Sequence, residues 1–341
     1  MPRPARFAGP LLAFVLAAAV APTHAACTWR AATPEEQALD AEAFAAFDRG
    51  IGERLPDVQS LVVVLEGRIA YQYHRDGQPE ALRDTQSVTK TALAALAGAA
   101  LQQGHLASLD TPVLDLMTEW QPLNPDPRSR AITVRHLLAL TPGFQVDDAT
   151  GTAPPLTPEK AWQRPLRADP GQAFAYDNSV PGLTAAVLQK TGGQPLAGYV
   201  QAQLVQPLGM ATPSYRHGLV QMRTVDMARL GQLFLQDGQW DGRAVLPPGF
   251  AAQTLRAHSE GGPPARMPYG LAWWLPSGST AMANGFGGQW IWVHPPLNVV
   301  VAATSTVSPE SNQRAQALQL IRGRVFQAVQ KRATRGCEPD R

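Results

Sequence analysis

Thr85–Gly104 reads TQSVTKTALAALAGAALQQG. The run after Lys90 is apolar nearly all round, which predicts a buried central helix that stops at Gly104. Ser87 falls where that helix begins, so its N–H is one of the unpaired donors of a first turn. Lys90 follows one turn later on the same face. Lysine is scarce in this chain, with Lys160, Lys190 and Lys331 the only others. Burial disfavours an ammonium and makes the neutral amine accessible. A neutral amine within reach of a hydroxyl is a general base, and that hydroxyl becomes a nucleophile. The competing reading is a surface lysine whose stem lies over a helix start.

Outward from this helix the pattern is mixed. PEEQALDAEAFAAFDRGIGERL reads as an early helix, and LVVVLEGRIAYQYHR as two strands around a Glu66-Gly67 turn. TVRHLLALTPG predicts a helix capped by Thr133 and stopped at Gly143, and TVDMARLGQLFLQDG one capped by Thr224 and ended at Gly238. PGLTAAVLQKTGG and PLAGYVQAQLVQPLG each place proline in a first turn and glycine at the end. Strands return in YGLAWWLP, TAMANGFGG, QWIWVHP and NVVVAATST. A last amphipathic helix carries Leu318, Ile321, Val325 and Val329 on one face. The expected fold is α+β. An antiparallel sheet uses strands from both ends, flanked by the N- and C-terminal helices, with a mostly helical lobe inserted. The expected division is 27–84 with 255–341 as an α/β lobe and 85–254 as the helical lobe, the site lying between them. TPGFQVDDATGTAPPLTPEK is the candidate mobile loop.

With 341 residues, 45% of them hydrophobic and 16% charged, the chain is globular in composition. A net charge of +2 without basic runs gives no reason to expect nucleic acid. Arg3 and Arg6, the run LLAFVLAAAV and the small residues of APTHAAC predict a signal peptide over residues 1–26. That run is too short for a membrane span, and no later segment is long enough. The expected location is therefore secreted or periplasmic. The two cysteines, Cys27 and Cys337, stand near the mature ends, and in an oxidising compartment they read as one disulfide. Two free thiols are the alternative.

Two further stretches carry chemistry. Tyr176-Asp177-Asn178 lies in a loop bounded by glycine and proline just ahead of a helix. Tyr176 can shuttle a proton, and Asn178 offers a donor and an acceptor. MANGFGGQW has glycines that let backbone N–H groups approach a ligand. Taken alone, the first is equally a turn with a packed tyrosine, and the second a hairpin tip. G-x-S-x-G, H-E-x-x-H, P-loop and Cys/His metal spacings are absent, and no cofactor is implied. The scattered histidines at 74, 105, 136, 217, 258 and 294 do not suggest a Ser-His-Asp triad. The tryptophans at 273, 274, 290 and 292 are expected to pack the sheet, with one or two lining an acyl pocket.

In this order, the three stretches resemble the serine β-lactamase and penicillin-binding-protein superfamily. The resemblance covers nearly the whole mature chain. The tyrosine in the second motif is similar to the branch of class C β-lactamases, D-alanyl-D-alanine peptidases and related esterases. GFGGQW is most similar to its ester- and amide-hydrolysing members, such as the 6-aminohexanoate-dimer hydrolases. The resemblance implies Ser87 as acylated nucleophile, Lys90 as base, Tyr176 as second acid/base and Asn178 as the orienting residue. The third motif of the family, Lys-Thr-Gly, matches Ala283-Asn284-Gly285. Asn284 and Gly285 would then contact substrate, and the N–H groups of Ser87 and Phe286 would form the oxyanion hole. A shifted match, Gly285-Phe286-Gly287, would give that role to Gly288. In either register the motif's lysine, which helps bind substrate carboxylates, is missing. The implied activity is an exported serine hydrolase for a small ester or amide. A β-lactamase or D-alanyl-D-alanine carboxypeptidase, and a silent cell-wall binding protein, are the alternatives. Oligomeric state is not legible.

Overall fold

Glu66 and Gly67 both take positive φ, 51° and 75°, the pairing a two-residue hairpin turn requires. They join β1 (Val58–Leu65) to β2 (Arg68–His74) in this computed structural model. The structure describes residues 32, 41–147, 153–277 and 279–330; the signal-peptide region, Cys27, Cys337 and part of the candidate mobile loop lie outside the described residues. Downstream are a small sheet of β3 (Arg83–Asp84), β4 (Ser214–Arg216) and β5 (Leu219–Met222), and a short hairpin of β6 (Gln239–Trp240) and β7 (Arg243–Ala244). The main sheet is completed by β8 (Trp274–Ser277), β9 (Thr280–Gly285), β10 (Gln289–His294) and β11 (Val299–Ser305).

The main sheet is antiparallel with strand order β2-β1-β11-β10-β9-β8. The first strand therefore pairs with the last, Leu61 opposite Ala303 and Val63 opposite Val301. Both strands are buried almost throughout, which explains runs such as LVVV and VVVAA where a half-exposed strand would alternate. Ser60, Thr224 and Thr304 stitch the interior: the Ser60 hydroxyl lies 2.5 Å from each threonine hydroxyl.

Helix α1 (Ala41–Arg54) sends Phe47 edge-on against Tyr71 of β2. Helix α2 (Val88–Gln102) is the predicted buried helix, with Val88 and Leu93 to Ala100 enclosed. Helix α3 (Val134–Leu138) starts where expected, the Thr133 hydroxyl accepting from the His136 N–H and His136 Nδ1 accepting from the Thr133 N–H. It ends before Gly143, because Leu140 turns into the left-handed region at φ 57°. Helix α4 (Val180–Gly192) ends on left-handed Gly193 as predicted. Helix α5 (Thr224–Leu235) belongs to the 85–254 block yet packs on the sheet. A Cβ on its Gly231 would come within 2.6 Å of Val300. Its cap is Arg223, not Thr224, whose hydroxyl is spent on Ser60.

The closing helix is broken rather than continuous. Helix α6 (Pro309–Arg314) ends at Ala315, left-handed at φ 47°, and helical turns resume from Gln316 to Gln330. Ile321, Val325 and Val329 are buried as the periodicity predicted. In YGLAWWLP the strand begins only at Trp274; Tyr269 forms isolated bridges to Ser259 and Trp274. Among the described residues no helix is long and apolar enough to cross a membrane.

Candidate active site

The approach to Ser87 is sharply turned. β3 ends at Asp84, the Thr85 hydroxyl donates to the Val220 carbonyl at 2.6 Å, and Gln86 sits at φ 50°. A non-glycine residue held there signals a conformation imposed by its surroundings. Ser87 then takes helical angles as the residue preceding α2, its side chain making no capping bond. Its hydroxyl is left for Lys90, whose Nζ donates to Ser87 Oγ at 3.0 Å.

Lys90 is 8% exposed, a buried cation-forming group on an apolar helix. Its Nζ also donates to Asn178 Oδ1 at 3.3 Å and lies 4.6 Å from the centre of the Tyr176 ring. Leu93, Leu138 and Leu140 line a small hollow beside it. Ser87, Lys90, Tyr176 and Asn178, drawn from two stretches some ninety residues apart, therefore share one locus.

The Tyr176–Asn178 loop is held by its own aspartate and by groups from elsewhere in the chain. Asp177 is buried, with one carboxylate oxygen accepting from the Ser179 N–H at 2.8 Å and the other from Arg164 Nη2 at 2.5 Å. Arg164 lies over the Phe144 ring and donates to the Ala161 carbonyl, so its position is fixed on three sides. Trp274 stacks on Tyr176 at 5.7 Å with 17° between the planes. Tyr269 meets Trp274 edge-on at 4.6 Å, and burial pushes its hydroxyl well above the usual phenol range, with Tyr176 adding to the shift. Of the four tryptophans named above, Trp274 stacks on Tyr176 and Trp290 stands opposite Asn284 in the β9–β10 pairing; Trp273 packs on Phe234 and Trp292 on Phe326. Asp177 was legible as the middle of the motif. Arg164, 13 residues away, left no local signal.

The third stretch lies where β9 passes α2. A Cβ on Gly285 would sit 2.5 Å from the Thr85 carbonyl oxygen and 3.0 Å from Gln86 Cβ, so only glycine allows this approach. Beyond it, Phe286, Gly287 and Gly288 turn the chain into β10. Gly287 donates its N–H to Asn312 of α6, and Gly288 donates its N–H to the Gly285 carbonyl. β8 pairs with β9 at Met282 and Thr280, short of Ala283–Gly285. Asn284 is half-buried, Gly285 buried and Phe286 45% exposed. Three of the histidines are engaged elsewhere: His105 with the Tyr199 hydroxyl, His136 with the Thr133 N–H, and His258 with the Gln253 carbonyl. Among the described residues no cluster of three His, Cys, Asp or Glu could hold a metal ion.

This fold and this grouping of serine and lysine define a class, and comparison with known proteins agrees. The beta-lactamase family pattern matches residues 48–324, and the chain belongs to that family. Esterase EstB of Burkholderia gladioli is 29% identical over 209 residues, 52% of this chain and 53% of EstB. The chain thus spans about half the length of that curated relative. Among solved structures, a candidate beta-lactamase from Bacteroides dorei DSM 17855 superposes with a TM-score of 0.71 at 14% identity, covering 86% of this chain and 100% of the other. A candidate 6-aminohexanoate-dimer hydrolase from Bacillus anthracis gives 0.67 at 17% identity, covering 91% and 90%. EstCE1, described as a hydrolase with promiscuous acyltransferase activity, gives 0.64 at 19%, covering 84% and 98%. At these identities the superpositions speak for the fold.

Proposed function

We propose that this chain is an exported serine hydrolase that cleaves an ester or amide through an acyl-enzyme on Ser87. The observation that carries the reading is the 3.0 Å contact from buried Lys90 to the Ser87 hydroxyl, with Asn178 holding the same amine. In the proposed cycle Lys90 takes the Ser87 proton as Oγ attacks the carbonyl carbon. The C–O or C–N bond to the leaving group then breaks, and Lys90 or Tyr176 returns the proton to the departing atom. Water attacks the resulting serine ester, releases the acid and restores Ser87. The relationship to an esterase supports this chemistry.

The N–H groups of Ser87 and Phe286 are proposed to stabilise the oxyanion. Two features favour Phe286 over Gly288. The Gly288 N–H is already spent on Gly285. Gly285 pairs with Gln289 of β10, and backbone groups alternate sides along a strand, so the next N–H is carried towards the edge that β8 leaves open. Each such donor typically contributes about 10²–10³ in rate. Asn284 and Gly285 would border the substrate on that edge. Export and a Cys27–Cys337 disulfide complete the proposal; intact mass of the secreted protein should show no free thiol.

The test is a panel of p-nitrophenyl esters, anilides and a chromogenic cephalosporin, run on wild type and Ser87→Ala. Ser87-dependent ester or amide turnover supports the proposal. Turnover confined to the cephalosporin would make the chain a β-lactamase. Failure of every acylating probe would leave a silent binding protein.

A further inference from the structure

We propose that Trp274 is a positioning residue for the reaction, holding the Tyr176 phenol beside Lys90 so that it returns a proton to the leaving group. This rests on the serine-hydrolase reading and adds to the same site a residue that touches no reacting atom. The starting point is a stack. Trp274 is 3% exposed, and its ring centre lies 5.7 Å from that of Tyr176 with 17° between the planes. This is the offset arrangement that aromatic pairs favour. Lys90 Nζ lies 4.6 Å from the centre of the same Tyr176 ring. The ring of the proposed acid/base therefore meets both the indole and the amine.

The indole is itself braced. Tyr269 meets it edge-on at 4.6 Å and Phe174 at 5.7 Å, and those two rings lie 5.2 Å apart. Two positions earlier Ala272 sits at φ 62°, where a non-glycine residue persists only if its surroundings impose it. Its carbonyl accepts from the Thr91 hydroxyl at 2.8 Å, and its N–H donates to the Leu138 carbonyl at 2.9 Å. Thr91 follows Lys90 on α2, and Trp274 pairs with Met282 on β9. One short segment thus touches the helix of Ser87, the strand of the third stretch and, through Trp274, the Tyr176 ring. Position matters because of where the proton goes. Lys90 takes it from Ser87 as Oγ bonds to the carbonyl carbon. When the bond from that carbon to the leaving oxygen breaks, the Tyr176 O–H protonates the oxygen, and the proton held on Lys90 restores the phenol. A phenyl ester, whose leaving oxygen is basic, needs that proton. A p-nitrophenyl ester, whose leaving anion is stable, needs it far less.

The experiment measures kcat/KM for phenyl butyrate and p-nitrophenyl butyrate, per serine titrated with a fluorophosphonate. The proteins are wild type, Trp274→Leu, Trp274→Phe, Tyr176→Phe, the double variant Tyr176→Phe/Trp274→Leu, and Ser87→Ala. Trp274→Leu should lose about 10- to 100-fold on the phenyl ester, the scale of a misplacement near 1 Å, and far less on the p-nitrophenyl ester. Trp274→Phe, which keeps an aromatic face, should show the same pattern at about a third of wild-type activity on the phenyl ester. Once the Tyr176 hydroxyl is gone, adding Trp274→Leu should change the phenyl-ester rate less than about twofold, because the two residues act as one unit. A loss of equal size on both esters overturns the inference, as does no loss in folded Trp274→Leu or an undiminished loss in the Tyr176→Phe background. Should the leucine variant not fold by circular dichroism, Trp274→Phe is read in its place, alone and with Tyr176→Phe. Wild-type activity in Tyr176→Phe, or a wild type that cannot cleave the phenyl ester, also overturns it, since there would be no proton return to position. Hydrolysis that survives in Ser87→Ala would instead defeat the underlying reading, so the two failures are told apart.

Discussion

At the scale of single residues, the site divides into groups proposed to react and groups that hold them. Ser87→Ala should reduce ester hydrolysis on the order of 10⁴-fold or more and abolish labelling by a fluorophosphonate. Lys90→Ala should be similarly impaired while its circular dichroism stays native; full activity in that variant would remove Lys90 from the mechanism. Arg164 and Asp177 touch no reacting atom in this scheme. Their side chains are 17% and 7% exposed, so deleting one partner leaves a nearly buried charge. Arg164→Ala should cost about 3–5 kcal/mol in urea unfolding and displace the Tyr176–Asn178 loop. Arg164→Lys, which keeps the charge but loses the planar fork, should recover only part of that loss. Ser87, Lys90 and Tyr176–Asn178 were legible because each lies in a short stretch with its own chemistry. Arg164 was not, because what places it is a fold contact rather than a spacing, and Trp274 was legible only as one of four candidate tryptophans until its stacking on Tyr176 singled it out.

At the scale of elements, the separation of β9 from α2 is set by an absent side chain. Gly285→Ala places a methyl 2.5 Å from the Thr85 carbonyl, and neither partner is a flexible side-chain end. The strand must move away, at about 1–3 kcal/mol of stability. The same movement would draw the Phe286 N–H from the proposed oxyanion, so kcat should fall by more than the stability loss explains while KM changes little. Equal kcat in a folded Gly285→Ala protein would argue against Phe286 as a donor. Element type was mostly readable here, because hydrophobic period and turn glycines agree along β1, β2 and β9 to β11. Element ends were less so. The α3 boundary at Leu138, the Ala315 break and the late start of β8 all depend on residues held at positive φ or on tertiary packing, which no period records.

At the scale of the whole molecule, buried and paired ionisable groups set the response to acid. Burial holds His74, His136, His258 and His294 below the ordinary imidazole value of 6.5. A depressed folded pKa means stability that is complete above about pH 6.5 and is lost as pH falls through the folded values. Hydrogen bonds from Arg314, Arg83 and Arg135 likewise hold Asp57, Asp76 and Asp110 below the ordinary carboxylate range. Their contribution is complete above about pH 3.9 and lost further down. The urea midpoint should therefore fall in two stages on acidification. Asp57→Asn should soften only the lower one, and modestly, because Arg314 is half exposed. A midpoint flat from pH 8 to 5 would contradict the histidine stage. The pairing of β1 with β11 has a consequence of another kind. Ser87 and Lys90 share a local helix that can form early, whereas the sheet cannot close until residue 305 has been made. During synthesis LVVVL waits without its partner strand, a stretch prone to wrong association. The chain thus acquires the proposed nucleophile long before the hairpin proposed to stabilise the charge it would create, and a half-made molecule would hold the serine without the means of using it.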